Sequence, residues 1–481
     1  MKTKTVSLVL TLLLSIITVY ALTGESENMT WNPGDRITAA RLNAMMASVV
    51  ALGDTVSAET VYGVTSNAGS SLTASKSDHT HGTPNAKFAA EYTVYKVSTT
   101  CYAITKDGTV TSNADAATLI NACITALSTG GGSIHVLDGS YVLTAEISLT
   151  NKVNIILDKH VIFTLGFDGI MFDLNSVYDA SIKGGYLYGN KTVYSGTPIR
   201  IAGTSYRNTV ADCYIYSFDG PGIQVNSALA SHNTIINNVV EDVTQEGIMV
   251  ALGFDNTIIC NTVKTTGYHG ILVTGGDTNN ITKNVVLFAG GNYIAGFAHG
   301  IAVDGSAGTQ ECFGNRVEGN IVISSFMAGI EIADSAHRTS IIGNYVHTTG
   351  VGNTVDKYGI YVGGSYAPSN DCIVMGNQVY NATYDRGILI AGTATDNRTL
   401  KTIVIGNVVQ DSGIDGIYLK WVDDSIVEGN VCWTNAAYGC AFEDANADYN
   451  IILGNNFRNN TSGGYSQNGA NTNGIQEHNL T

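Results

Sequence analysis

Basic side chains are scarce in this chain. Lys and Arg number 24 against 40 Asp and Glu, for a formal net charge of −16, and only 13% of residues are charged. No stripe of positive charge exists to neutralise a phosphate backbone, which excludes nucleic-acid binding by that route. Proline is also rare, at 5 residues, whereas glycine reaches 54 alongside much Asn, Thr and Ser, a composition suited to short strands and tight turns. The chain has no phosphate-cradling glycine loop, no CxxC zinc spacing and no nucleophile elbow. Of the 8 cysteines, Cys432 stands where other repeats hold Val263, Val286 or Val409, and Cys440 replaces a recurrent isoleucine, so both read as small buried hydrophobes. Spacing leaves two pairings open, Cys432 with Cys440 and Cys101 with Cys123.

The conspicuous apolar run is Val6 to Leu22. Lys2 and Lys4 precede it and Ala21 with Val19 forms a cleavage site, so residues 1–22 read as a secretory signal peptide. At about 17 residues the run sits at the lower limit for a membrane anchor, the alternative reading. Either way the expected location is secreted or on a cell or virion surface, with membrane contact only if the segment is not cleaved.

What the chain has in abundance is repetition. Gly-Ile-x-aliphatic recurs at Gly222, Gly247, Gly270, Gly300, Gly329, Gly359, Gly387 and Gly416, with a degenerate copy at Gly439, in steps of 23 to 30 residues. Between copies comes an aliphatic pair followed by an asparagine, namely Asn238, Asn261, Asn284, Asn320, Asn344, Asn377, Asn407, Asn430 and Asn455. A fixed period of this length marks a solenoid. Ile slots from Ile170 to Cys440 count about eleven coils, and at roughly 4.8 Å per coil the body is about 50 Å long. With period two, Ile and Val point inward and x points outward. The asparagines are expected to be structural, turning the chain in the left-handed conformation and bonding amide to amide between coils.

Four regions follow: the leader, an attachment or oligomerisation region over 23–95, a parallel β-helix over 96–457 and a polar tail over 458–481. In the second, Leu42, Met45, Val49, Leu52 and Val56 have the spacing of a short coiled-coil seam, an amphipathic helix packed on its own chain being the alternative. Asp78-His79-Thr80-His81-Gly82 places two imidazoles on one side of an extended segment, where a three-fold assembly would offer His79 and His81 to one metal ion; an exposed polar loop is the competing reading. No other cofactor is implied. The seam with this loop resembles the amino-terminal parts of viral tail-fibre and tailspike proteins, which implies a homotrimer.

Farther along, Asp107-Gly108, a helix from Ala116 to Leu127 capped by Asp115, Gly130-Gly131-Gly132 and the strand SIHV resemble the opening cap of the pectate-lyase superfamily. That superfamily comprises right-handed parallel β-helices and includes pectate lyases, polygalacturonases and phage tailspikes. The resemblance implies an all-β, right-handed parallel β-helix with a capping helix, and action on polysaccharide.

Outward slots of neighbouring coils stack about 4.8 Å apart, so residues distant in sequence become neighbours. The slot before Gly-Ile holds Glu246, His269 and His299 in successive coils; the x slot holds Glu331 and then Tyr361; one outward step on come Thr274 and Asp304. Asp304, Glu331, Glu246, His269 and His299 are the candidate catalytic group, because two carboxylates in different surroundings can act as acid and base while histidine orients them. Tyr361, Asp334 and Thr274 are the candidate substrate contacts. Asp304 and Glu331 are expected with backbones about 8 Å apart, compatible with an inverting glycosidase, although side-chain reach leaves a retaining spacing open. An ordinary solvated face is the competing reading.

Polygalacturonases carry their catalytic Asp and His in this same slot. Glu246-Gly247-Ile248 and His269-Gly270-Ile271 match part of that pattern, but Pro221 stands where the first aspartate belongs and His299 begins a phrase unlike that family's next one. A pectate lyase would need a calcium-binding aspartate cluster and an arginine base, which the slots do not supply. The expected function is an exported β-helix that binds and cleaves polysaccharide, as a glycoside hydrolase rather than a lyase. The alternatives are a non-catalytic adhesin and a structural stalk.

Overall fold

The computed structural model describes residues 90–291, 298–305, 310–351, 357–394, 397–443, 448–467 and 474–481. The chain divides into units of 1–84 and 85–481. The leader, the Leu42–Val56 seam and the His79/His81 pair lie outside the described residues. In the second unit, the antiparallel strands Tyr92–Val97, Thr100–Thr105 and Val110–Asn113 lead into the helix Ala116–Leu127. The Asp115 side chain accepts the Thr118 N–H and so caps the helix at its first turn. Ala117, Ile120, Cys123, Ile124 and Leu127 turn inward from it and close the apolar end of the solenoid. This helix is where its sequence signals place it.

Beyond the cap every strand pairing of the solenoid is parallel and joins equivalent residues of successive coils. The Gly-Ile strands form one sheet of 13, from Ile147–Ser148 through Ile271–Thr274 and Ile301–Asp304 to Gly463–Gln467. The sequence count of about eleven is therefore low by a coil at each end. Neither terminal strand carries the Gly-Ile phrase: the first pairs with Gly169–Asn175 and the last with Tyr438–Phe442. The segments VNIIL and HVIFTL form one long strand, Val153–Leu165, with a register irregularity inside it. The remaining strands come in pairs flanking each ladder asparagine, such as Thr257–Ile259 and Thr262–Thr266. Among the described residues no helix is long and apolar enough to cross a membrane.

Ile and Val of the repeated phrase, for example Ile271, Val273, Ile301 and Val303, are fully buried in a continuous aliphatic stack. The phrase needs glycine because of close approach rather than backbone strain. A Cβ on Gly300 would lie 2.2 Å from Val322 Cγ1 and 2.5 Å from the Gly329 carbonyl oxygen. All eight cysteines are free thiols, so neither open pairing forms. Cys432 and Cys440 are fully buried, as their hydrophobic slots imply.

The asparagines form a continuous internal column. Asn320 is typical: its N–H and its Nδ2 both donate to Asn344 Oδ1, at 2.9 and 3.0 Å, and Nδ2 also donates to the Ile281 carbonyl at 2.9 Å. One detail differs from expectation. The left-handed residue is the one before each ladder asparagine, namely Asn237, Cys260, Lys283, and then Gly319, Gly343, Gly376, Gly406, Gly429 and Gly454. The neighbour makes the sharp turn, which frees the asparagine to aim its amide inward along the stack. A second column, Asn208–Asn233–Asn256–Asn279–Asn315, runs through another corner in the same manner.

Replacing Asn344 by leucine removes the acceptor used by Asn320 and the donors used by Val317 and Asn377. With roughly 1–3 kcal/mol lost per buried polar group left unpaired, Asn344→Leu should destabilise the solenoid by at least about 3 kcal/mol. Denaturant unfolding of the two proteins side by side measures this, and an unchanged midpoint would show that the column is dispensable.

Candidate functional site

The Gly-Ile sheet places its outward slots as the register requires. Backbone bonds from Gly247 to His269, Gly270 to His299 and Gly300 to Ala328 stack Glu246, His269, His299 and Ala328 in four successive coils. In the x slot Glu331 lies between Ala302 and Tyr361, and in the next outward slot Asp304 lies between Thr274 and Ala333.

His269 and His299 stack face to face, with ring centroids 5.3 Å apart and planes within 12°. His269 Nδ1 accepts the His299 backbone N–H, and His299 Nδ1 accepts the Ala328 N–H, each at 3.2 Å. Both rings are therefore held as neutral tautomers with the proton on Nε2. That nitrogen of His299 lies 2.8 Å from Glu331 Oε2, with side chains only 1% and 13% exposed. Burial, and then the neighbouring His299 ring, hold His269 well below the usual imidazole range.

Asp304 stands in electrostatically unfavourable surroundings. Its Oδ1 is shielded from solvent and has no hydrogen-bond partner among the described residues. Burial, and after it the negative charges of Glu331 and Asp334, push its carboxyl well above the usual 3.8. Burial also raises Glu246. The face thus holds two carboxyls biased towards the protonated form and a third, Glu331, facing an N–H donor.

The proposed substrate contacts are engaged differently. Asp334 Oδ1 accepts the N–H groups of Ser365 and Tyr366, at 2.7 and 2.8 Å, and the Tyr361 hydroxyl accepts the Gly364 N–H at 2.8 Å. Both anchor the 363–366 loop beside the site. Thr274 stands in register with Asp304 and is partly exposed. Glu246 is in the slot next to His269, with no side-chain hydrogen bond recorded between them.

Sequence reasoning missed a second polar network two coils beyond Glu331. Arg386 lies 3.9 Å from the Tyr418 ring centroid and pairs with Asp385 at 2.8 Å and with Asp415 at 3.6 Å. The Tyr418 hydroxyl donates to Glu443, which Lys420 approaches at 3.4 Å. Tyr358, Tyr361 and Tyr438 pack around Leu389 and Tyr418 to form an aromatic patch on the same sheet. The signal was present in the ladder, since Arg386 and Asp415 occupy the same slot of adjacent coils.

The fold is that of the pectate-lyase-type right-handed parallel β-helices. A family model described as "Right handed beta helix region" matches residues 108–286, and one described as "Periplasmic copper-binding protein (NosD)" matches 298–479. Among solved structures, the A-module of mannuronan C-5 epimerase AlgE6 from Azotobacter vinelandii is similar over 76% of this chain and 95% of its own, with a TM-score of 0.55 at 14% identity. Tailspike protein 3 of bacteriophage CBA120 is similar over 76% of this chain and 59% of its own, with a TM-score of 0.53 at 12% identity. PfbA, a surface adhesin of Streptococcus pneumoniae, is similar over 74% and 91%, with a TM-score of 0.51 at 12% identity. No curated protein matches the sequence. Among the described residues no three of His, Cys, Asp and Glu are placed to hold a metal ion.

Two outcomes check these electrostatics. The His269 imidazole should show no NMR titration between pH 7.5 and 5.5, whereas a free imidazole is half protonated near pH 6.5. For Asp304 the folded pKa lies above the unfolded one, so its favourable contribution is complete below 3.8 and is lost as pH rises through the folded value. Asp304→Asn should therefore raise the thermal midpoint at pH 8, by about 2 °C for roughly 1 kcal/mol in a domain of this size, with the gain vanishing below pH 4. A variant less stable than the parent at pH 8 would contradict that account.

Proposed function

We propose that this chain is an exported polysaccharide-processing β-helix that binds glycan along the Gly-Ile sheet and hydrolyses it between Asp304 and Glu331. The observation carrying this reading is that Asp304, its Oδ1 shielded from solvent and without a hydrogen-bond partner among the described residues, stands one coil from Glu331, whose Oε2 lies 2.8 Å from His299 Nε2. Two neighbouring carboxyls in such unequal surroundings divide into a proton donor and an ionised partner. Asp304 donates its proton to the leaving glycosidic oxygen. Glu331, kept ionised by the neutral His299, acts on the opposite side of the sugar ring as base or nucleophile. His299 positions Glu331, and His269 orients His299 through the stacked rings and the bond to its backbone N–H. Glu246 lies at the far end of the stack, and Thr274 faces the glycan beside Asp304.

Export agrees with the leader-like first 22 residues, and a polysaccharide partner agrees with the name of the similar mannuronan C-5 epimerase module. A trimer is the assembly that the amino-terminal resemblance favours. Asp304→Asn and Glu331→Gln should each lower release of reducing ends from a responsive glycan by about 10²–10⁴-fold, the usual worth of one acid or base, without loss of fold by circular dichroism. Because Asp304 must carry its proton, cleavage should also decline on the alkaline side. Undiminished cleavage by both variants would sink the assignment, and binding without any product would make the protein an adhesin.

A further inference from the structure

Across five successive coils the Gly-Ile phrases read EGIMVA, HGILVT, HGIAVD, AGIEIA and YGIYV, from Glu246 to Val362, and contain no Lys or Arg. Glu246, Asp304 and Glu331 stand there, with Asp334 at the end of the fourth. Cations appear on this sheet only on either side of the segment, and all three are already committed. Arg200 is bound by Asp173 through two bonds of 2.9 Å, Arg386 by Asp385 and Asp415, and Lys420 by Glu443 at 3.4 Å. The other cations of this span sit elsewhere on the coil: Lys264 and Arg316 on the flanking strands, paired with Glu241 and Glu318, and Lys283 and Arg338 at turns. Lys357 reaches over the Tyr384 ring, 4.4 Å from its centroid. The stretches 292–297, 306–309 and 352–356 add no Lys or Arg by sequence, only Asp356. The two histidines are held with Nδ1 accepting from backbone, so they offer no positive charge either.

A polyuronate laid along this face would bring its carboxylates within a Debye length of Glu331 and Asp334 and against Glu246 and Asp304, where the surroundings already disfavour negative charge, with no cation to meet them. Nor do three of the acidic or imidazole groups among the described residues converge to share a bridging metal ion. Sugar hydroxyls, in contrast, are donors, and ionised carboxylates are acceptors only, so an uncharged polyol suits the same surface. From this geometry we infer that the glycan taken by the Asp304–Glu331 site is a neutral polysaccharide and not a polyuronate. The inference rests on the function proposed above and narrows it to one substrate class. It separates this chain from the similar epimerase module, whose named substrate, mannuronan, is a polymer of an acidic sugar.

Matched pairs differing in charge alone test it with the full chain: polygalacturonate against its methyl ester, alginate against carboxyl-reduced alginate, and hyaluronate against its carboxyl-reduced form, beside neutral glucans, mannans and galactans. Affinity electrophoresis and reducing-end release are read at about 20 mM salt and again at about 0.5 M, where screening shortens to a few ångströms. Neutral members are expected to bind about tenfold or more tightly at low salt, with the gap closing at high salt. If a charged member binds or is cleaved as well as its neutral partner, and Asp304→Asn abolishes that cleavage, the substrate class is wrong while the proposed function stands. If no glycan of either kind is bound or cleaved, both fall together.

Discussion

The parallel stacking of one coil on the next at a single backbone spacing is the constraint on which everything else in this protein depends. Once Ile301 bonds into the register of Ile271 and Ile330, every outward residue is placed against its counterparts above and below. The asparagine columns hold that register from inside, because each amide accepts from the asparagine of one neighbouring coil and donates to that of the other. A slip of one residue would break the column and turn the aliphatic stack outward together.

That regularity explains how residues 59 positions apart in sequence, such as Ala302 and its second neighbour Tyr361 at either side of Glu331, come to share one surface. It also explains why the site is electrostatically uneven. The sheet supplies fixed positions but little choice of orientation, so Asp304 is held near Glu331 and Asp334 with its Oδ1 unpartnered among the described residues. The histidines escape that conflict, since their Nδ1 atoms accept backbone N–H groups that the stacking presents. The unfavourable burial of Asp304 is offset by the aliphatic stack and the asparagine columns of the other coils.

Much of this was legible in the chain. The inward Ile and Val, the helix Ala116–Leu127, the stacking of Glu246, His269 and His299, and the placing of Asp304 and Glu331 on adjacent coils all follow from periodicity. The terminal coils were missed because Ile147–Ser148 and Gly463–Gln467 close the sheet without the repeated phrase. The left-handed turn was placed one residue late because Asn tolerates that conformation, whereas in the column the amide has another task. Asp334 and Tyr361, read as substrate contacts, also hydrogen-bond the 363–366 loop, which belongs to no repeat and leaves no periodic trace.

The Gly-Ile and Asn periods by themselves determined a solenoid, its inward face and the slot of every candidate residue, since each depends only on spacing along the chain. Tertiary structure alone decided which way a side chain in a slot leans and what it meets: the 2.8 Å approach of His299 to Glu331, the imidazole tautomers and the sealed oxygen of Asp304. The reason is physical. Spacing sets the backbone position of a residue to within one strand, while its chemistry depends on distances of a few ångströms and on burial by neighbours from other coils.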